Sequence, residues 1–199
     1  AAAAAATTRR IGLWLLLCCA LVFALVVLGG VTRLTRSGLS IVEWQPATGI
    51  LPPLSERAWQ NEFAKYQASP EYRFVNEGMS LADYKTIYWI EYAHRLLARL
   101  VGIVFLVPFL YFLLASRLVR PLAQKLSAVL ALGALQAALG WYMVQSGLVD
   151  RPDVSHYRLT AHLGLALALF GYTVWLFLEA ARPASRILPG RVGLGFRRS

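Results

Sequence analysis

The sequence contains little charge, and acidic residues are the scarcest charged type. Only 15% of its 199 residues are charged, and 10 Asp and Glu residues face 20 Lys and Arg residues. Hydrophobic residues make up 58% of the chain. So few charges are atypical of a water-soluble domain, whose composition normally includes about 25% charged residues. The composition therefore predicts a protein that lies largely in a membrane.

Cysteine is also scarce, with two residues in the whole chain. Cys18 and Cys19 are adjacent and lie in the middle of an apolar run. Adjacent thiols within one apolar segment cannot link separate exterior segments, so a disulfide framework is excluded. The pair is typical of small apolar packing residues.

Long apolar runs, in contrast, occur four times. A helix rises about 1.5 Å per residue and must cross about 30 Å of hydrocarbon, so about 18 apolar residues mark a transmembrane helix. The first run is too long for a secretory signal and no small-residue cleavage site follows it, so we interpret it as a helix. The predicted fold is an all-α integral membrane four-helix bundle, with helices at about 11–30, 86–116, 126–145 and 159–179.

The basic residues are unevenly distributed over this topology. Four spans place both termini and the middle connection on one side, which carries half of the Lys and Arg residues against one acid, Glu179. This excess predicts cytoplasmic termini in a bacterial inner membrane or, in a eukaryote, the mitochondrial inner membrane. Because topology explains the net charge of +10, no nucleic-acid partner is expected. The expected segments are a cytoplasmic N-terminus (1–10), the transmembrane domain (11–181) and a basic cytoplasmic tail or linker (182–199).

The segment between the first two spans, residues 31–85, is too long for a simple turn. Its basic and acidic residues are equal in number, and Gly and Pro residues interrupt it repeatedly. Ser55 followed by aromatics three and four residues apart predicts a short amphipathic helix. Ser80 with Asp83 resembles a capping box that opens the second span. We expect a partly helical extracytoplasmic loop with three aromatic residues at the headgroup level, namely Trp44, Trp59 and Tyr72.

Four ionisable residues fall near the exterior end of the second span: Glu91, His94, Arg95 and Arg99. Each such residue costs about 2.5–3.5 kcal/mol at the centre of a membrane helix, and is therefore a functional candidate. Glu91 and Arg95 are four residues apart, so they share one helix face and can neutralise each other.

The fourth span repeats the pattern, with His162 about one turn inside its exterior end and Arg158 just before it. The second and fourth spans run in the same direction, so His94 and His162 are expected at similar depth. Two neutral imidazoles facing each other across a bundle form a bis-histidine haem site, with both as axial ligands of the iron. The flanking Arg95, Arg99 and Arg158 are candidates to bind the haem propionates.

Simpler interpretations exist for several of these residues. A histidine in a membrane helix often only donates a hydrogen bond between helices, but the paired depth and the flanking arginines favour haem. Zinc and copper are disfavoured because no third or fourth ligand lies at that level. His156 is interpreted as a solvated surface residue, and Gln136 and Gly140 in the third span as packing residues, with a role in the pocket as the lesser alternative for both.

An ordered series of motifs resembles the heme A synthase family, in its alphaproteobacterial and mitochondrial form. The resemblance covers about residues 29 to 170 and corresponds to the amino-terminal four-helix half of such proteins. Its motifs are Gly29-Gly-Val-Thr-Arg-Leu-Thr-Arg-Ser-Gly-Leu-Ser40, Val42-Glu-Trp-Gln-Pro46, Pro70-Glu71-Tyr72, Glu91-Tyr-Ala-His-Arg95, Gly140-Trp-Tyr-Met-Val144 and Tyr157-Arg-Leu-Thr-Ala-His162.

This resemblance implies an oxidoreductase that converts heme O to heme A for cytochrome oxidase, by oxidising the C8 methyl group to a formyl group. His94 and His162 would hold heme O, and Glu91 would be the catalytic carboxylate beside the reacting edge. A buried carboxylate there can relay protons or stabilise developing positive charge. The alternative is a structural Glu91 that pairs with Arg95 or Arg99.

The family also implies a second four-helix half that holds a heme B cofactor, which this chain does not contain. We expect either a fragment or a short form that pairs with another copy or chain. Further expected partners are the lipid bilayer, heme O synthase and cytochrome oxidase assembly factors. Ala98 stands where the family has glycine, and the exterior cysteine pair of another branch of the family is absent.

Two functions other than catalysis are compatible with the sequence. The first is a bis-histidine haem module that transfers electrons or hands haem over without modifying it. The second is an assembly subunit of a respiratory complex, with the loop as its docking surface. Substitution of Glu91 distinguishes the enzyme from the haem module, and substitution of His94 and His162 tests the assembly subunit.

Overall fold

A computed structural model describes residues 2–45, 49–149 and 152–181. Over these residues the chain is helical and contains no strand. It has four long helices and, between the first two, a pair of short ones. The six are α1 (Ala2–Leu34), α2 (Glu56–Gln67), α3 (Pro70–Phe74), α4 (Leu81–Leu114), α5 (Arg120–Leu148) and α6 (His156–Ala181).

The four long helices are each long and apolar enough to cross a membrane. The prediction of an all-α membrane protein with four spans is therefore confirmed. Each long helix extends beyond its predicted apolar run at the end that lies on the same side of the bundle as the connection between α1 and α4. For example, α4 begins at Leu81 rather than at 86. Backbone hydrogen bonding continues through the polar ends, which can lie among lipid headgroups, so hydropathy alone underestimates helix length. The predicted tail at 182–199 lies outside the described residues.

The four spans form a ring in which each helix packs against two others. α1 packs against α6 and α4, and α5 packs against α6 and, over a smaller area, α4. On the diagonal, α4 and α6 are both described throughout, and no Cα atom of one lies within 8 Å of a Cα atom of the other. The two helices that carry the predicted haem ligands, α4 and α6, therefore lie diagonally opposite each other.

One end of the bundle is filled by aromatic and aliphatic side chains. Trp14 of α1 packs against Phe105 and Phe112 of α4, and its indole N–H donates to the carbonyl of Val104 at 2.8 Å. Lipid tails are as apolar as these side chains, so close packing and interhelical hydrogen bonds, rather than the hydrophobic effect, hold such helices together. The packed core comprises Ile11, Trp14, Leu15, Cys18, Phe105, Phe109, Phe112, Leu126, Val129, Leu169 and Leu176.

The opposite end of the bundle, here called the loop end, is covered by the segment that joins α1 to α4. Ser55 caps α2 by accepting from the backbone N–H of Ala58 at 3.2 Å, and α3 packs against α5. Trp59 of α2 is only 8% exposed because it packs edge-on against Tyr88 of α4. Trp59 is therefore buried within the protein and Trp44 is exposed, and their position at the headgroup level stays a prediction.

Glu71 of α3 is a buried carboxylate of the loop end. Its side chain is 3% exposed, and Oε2 has no hydrogen-bond partner among the described residues. Burial, reinforced by the negative charge of Glu91, raises the pKa of Glu71 to about 7, and the nearby Arg36 and Arg33 only partly oppose this effect. The negative charge of Asp153 also raises the pKa of Glu71.

Glu71 should make stability depend on pH. The folded protein holds this proton more tightly than the unfolded chain, whose Glu has a pKa of 4.5. The free energy of unfolding should therefore fall by roughly 1.4 kcal/mol per pH unit between the two pKa values and level off above pH 7. Glu71→Gln should flatten this slope in unfolding titrations between pH 5 and pH 8. The exposed Glu77→Gln should retain it, and an unchanged slope in Glu71→Gln would contradict the assignment.

Candidate functional site

Each predicted histidine ligand lies against a glycine of a neighbouring helix. A methyl group at Gly29 of α1 would lie 3.2 Å from Nε2 of His94, and one at Gly140 of α5 would lie 3.0 Å from Cε1 of His162. Contacts this short leave little room for any side chain larger than hydrogen at the two glycines. The same arrangement therefore occurs twice, with α1 supporting the imidazole on α4 and α5 supporting the imidazole on α6.

The two imidazoles belong to helices that lie diagonally opposite each other in the bundle. No Cα atom of α4 lies within 8 Å of a Cα atom of α6. In these two helices, which are described throughout, no buried side chain occurs between Glu91 and Phe105 of α4 or before Leu169 of α6. At the level of the histidines, every side chain of α4 and α6 is therefore at least partly exposed.

His162 has a polar neighbour, Gln136, from α5. The side-chain nitrogen of Gln136 donates to the backbone carbonyl of His162 at 3.0 Å and lies 3.4 Å from Nε2 of its ring. Nδ1 of His162 and Oε1 of Gln136 are both buried without a hydrogen-bond partner among the described residues. Orphaned polar atoms at this depth are costly unless another group satisfies them.

Glu91 is 2% exposed, and both of its carboxylate oxygens are occupied. Oε2 accepts from the hydroxyl of Ser40 at 2.7 Å and from the backbone N–H of Ile41 at 2.8 Å. Oε1 accepts from Nη2 of Arg95 at 2.6 Å and from its Nε at 3.0 Å. The carboxylate therefore ties the chain that follows α1 to the middle of α4.

The three arginines proposed for the propionates all donate to backbone carbonyls. Arg95 donates to Ile41 and Glu43, and Arg99 donates to Gln45 at 2.9 Å. Both arginines line a cavity of about 490 Å³ between α4 and the loop segment. At the loop end of α6, Arg158 donates to the carbonyl of Tyr142 at 2.8 Å and stacks over its ring.

The structure brings some predicted site residues together and separates others. His94 and His162 lie on diagonally opposite helices, each against a glycine of a neighbouring helix, whereas Glu91, Arg95 and Arg99 bind the loop segment. His156 is the first residue of α6 and is exposed, as expected for a surface residue. The residues present fit a haem, because two imidazoles with glycine neighbours border a level without buried side chains.

Sequence reasoning missed Gly29 and Ser40 as neighbours of the site, and assigned Gln136 and Gly140 first to packing. Both glycines belong to the motifs that carry the family resemblance, and this membership was the signal that could have marked them as site residues. Their partners could not be read from the sequence, because the contacts join residues that are distant in the chain, such as Ser40 and Glu91.

Comparison with known proteins agrees with the family resemblance that the sequence motifs carry. A family model described as "Cytochrome oxidase assembly protein" matches residues 12–198. The chain is similar to proteins described as "Heme A synthase" from Nitrosospira multiformis (58% identical over 89% of this chain and 50% of the relative), Paramagnetospirillum magneticum (54%, 86% and 48%) and Nitrosomonas eutropha (55%, 92% and 52%). The chain thus spans about half the length of these curated relatives. No solved structure matches the chain significantly.

Removing the Glu91 carboxylate should release the loop segment. Glu91→Ala leaves Arg95 without its ion-pair partner and the hydroxyl of Ser40 without its acceptor, and should lower the free energy of unfolding by about 3 kcal/mol. Limited proteolysis between residues 49 and 80 should accelerate accordingly. Glu43→Gln is a suitable control, because the exposed Glu43–Lys65 pair is worth less than about 1 kcal/mol. Equal effects of the two substitutions would exclude an anchoring role for Glu91.

Proposed function

The chain belongs to the family of cytochrome oxidase assembly proteins, and on this premise we propose that its four-helix bundle binds heme O and takes part in its oxidation to heme A. The observation that carries the proposal is that two diagonally opposite helices each carry a histidine packed against a glycine of a neighbouring helix, His94 against Gly29 and His162 against Gly140. The proposal extends to this chain the name of its relatives, "Heme A synthase".

In this proposal His94 and His162 are the axial ligands of the haem iron. Their glycine neighbours let helices α1 and α5 approach the imidazole rings closely, so that both rings are held before haem binds. The aromatic core on one side and the loop segment on the other exclude water from the level between them. Heme O is here the substrate, and it supplies the C8 methyl group that becomes the formyl group of heme A.

Charged residues around the site would have two roles, binding a haem propionate and anchoring the loop. Arg158 at the loop end of α6 is the best placed of the three arginines to bind a propionate, because Arg95 and Arg99 face the loop segment. Glu91 would hold the loop over the haem and, through its contact with Arg95, keep a carboxylate near His94. The oxidation also needs an electron acceptor, which we assign to heme B held by a second half or a partner chain.

A haem carrier without catalysis is the second candidate function, and one observation favours it. All the hydrogen bonds of the Glu91 carboxylate are directed to Ser40, Ile41 and Arg95, so no oxygen is left to act on a substrate. A carrier would need only His94 and His162. In either case we propose a bacterial inner membrane, or a mitochondrial one, as the location of the protein, with its termini on the cytoplasmic or matrix side. Its expected partners there are heme O synthase and cytochrome oxidase assembly factors.

Haem analysis in cells should decide between these functions. The chain is co-expressed with a heme O synthase in cells that lack heme A, and extracted haems are identified by mass. Heme A or a hydroxylated precursor shows catalysis, whereas purified protein loaded only with heme O shows a carrier. His94→Ala and His162→Ala should each remove most of the bound haem while circular dichroism stays helical. Glu91→Gln should abolish the product but retain the haem if Glu91 is catalytic, and should change little in a carrier.

The glycine beside His162 provides an independent prediction. Gly140→Ala places a methyl group 3.0 Å from the imidazole, so the ring must turn, and haem occupancy should fall at least several-fold. Gly133→Ala lies two turns earlier in α5 and meets no atom within 4 Å, so it is the matched control. Occupancy is measured as the ratio of Soret to protein absorbance after purification. Equal occupancy in both variants would mean that His162 does not hold haem in this orientation.

A further inference from the structure

The buried amide of Gln136 faces His162 in a way that defines its own orientation. Side-chain oxygen and nitrogen of Gln are normally hard to distinguish, and the hydrogen-bond partners decide between them. Here the partner is the backbone carbonyl of His162, at 3.0 Å, which can only accept. The atom of Gln136 that points to α6 is therefore its NH₂ group.

That orientation has a consequence for the imidazole. The same NH₂ group lies 3.4 Å from Nε2 of His162, and an amide nitrogen is a donor only. An N–H on Nε2 would face this donor, whereas a lone pair on Nε2 would accept from it. The contact is longer than a good hydrogen bond, so it adds little stability. It still distinguishes the two tautomers of a neutral ring.

We propose that Gln136 is a positioning residue that keeps His162 in the Nδ1–H tautomer, with the lone pair of Nε2 ready for a metal. This inference rests on the proposed function in that the metal is the haem iron. When iron takes Nε2, Gln136 retains its bond to the carbonyl of His162 and continues to fix the α6 backbone beside the ligand. The hydrogen-bond partners of a neutral imidazole set its tautomer, and the tautomer decides which ring nitrogen can bind a metal.

The burial of Gln136 supports a positioning role over simple packing. An amide in a membrane helix is costly unless it is satisfied, and Oε1 of Gln136 has no partner among the described residues. The unpartnered Nδ1 of His162 is the complementary donor in the proposed tautomer.

The tautomer can be measured without haem, by ¹⁵N NMR of histidine-labelled protein in lipid bilayers. The chain has three histidines, so His94→Ala and His156→Ala assign the His162 signals. Wild-type His162 should carry its proton on Nδ1, and Gln136→Leu should shift the population toward Nε2–H. Gln136→Asn, which keeps an amide, should lie between them. A wild-type signal from Nε2–H, or one that Gln136→Leu leaves unchanged, would overturn the proposal.

Hemin titration gives the second readout. Gln136→Leu should weaken hemin binding several-fold, because a ring that carries its proton on Nε2 must change tautomer before this atom can bind iron. Gln145→Leu, a half-buried glutamine of the same helix, should bind like wild type. Equal affinity of wild type and Gln136→Leu would refute the positioning role and leave the proposed function intact. If folded wild type binds no hemin, the proposed function fails, and the tautomer measurement still decides the role of Gln136.

Discussion

The constraint on which the rest of this structure depends is that polar groups inside a bilayer must find their partners within the protein. Glu91 satisfies it with a serine hydroxyl, a backbone N–H and an arginine, all supplied by α4 itself or by the chain that follows α1. This one carboxylate therefore decides where the loop segment crosses α4. Glu91 precedes His94 by three residues, so it fixes the loop about one helical turn from this histidine.

A second feature is the diagonal arrangement of α4 and α6, whose Cα atoms nowhere come within 8 Å of each other. The ring order of the helices places α1 and α5 on the other diagonal, where each contributes a glycine beside an imidazole. The aromatic core then closes the bundle on one side of the histidines, and the aromatic cluster around Tyr66 and Tyr84 closes it on the other. Along α4, His94 thus lies between the two packed clusters.

The arginines illustrate where proximity in sequence is misleading. Arg95 follows His94 directly, yet a helix turns by about 100° per residue, so neighbouring side chains point in different directions. Arg95 and Arg99 consequently face the loop segment, whereas Arg158 remains at the loop end of α6. The spacing of four residues correctly placed Glu91 and Arg95 on one face of α4, but it did not predict that this face would contact the loop segment.

The sequence by itself determined the four spans and the fold class, because hydropathy and length act within single segments. It also identified the two histidines as candidate ligands, since an ionisable residue in an apolar run is recognisable without a partner. Helix ends, the burial of Trp59 and the occupied oxygens of Glu91 were decided only by the tertiary structure. The same holds for the glycine beside each imidazole and for Gln136 beside His162. These features are contacts between residues far apart in the chain, and such contacts exist only once the helices have packed in a particular order.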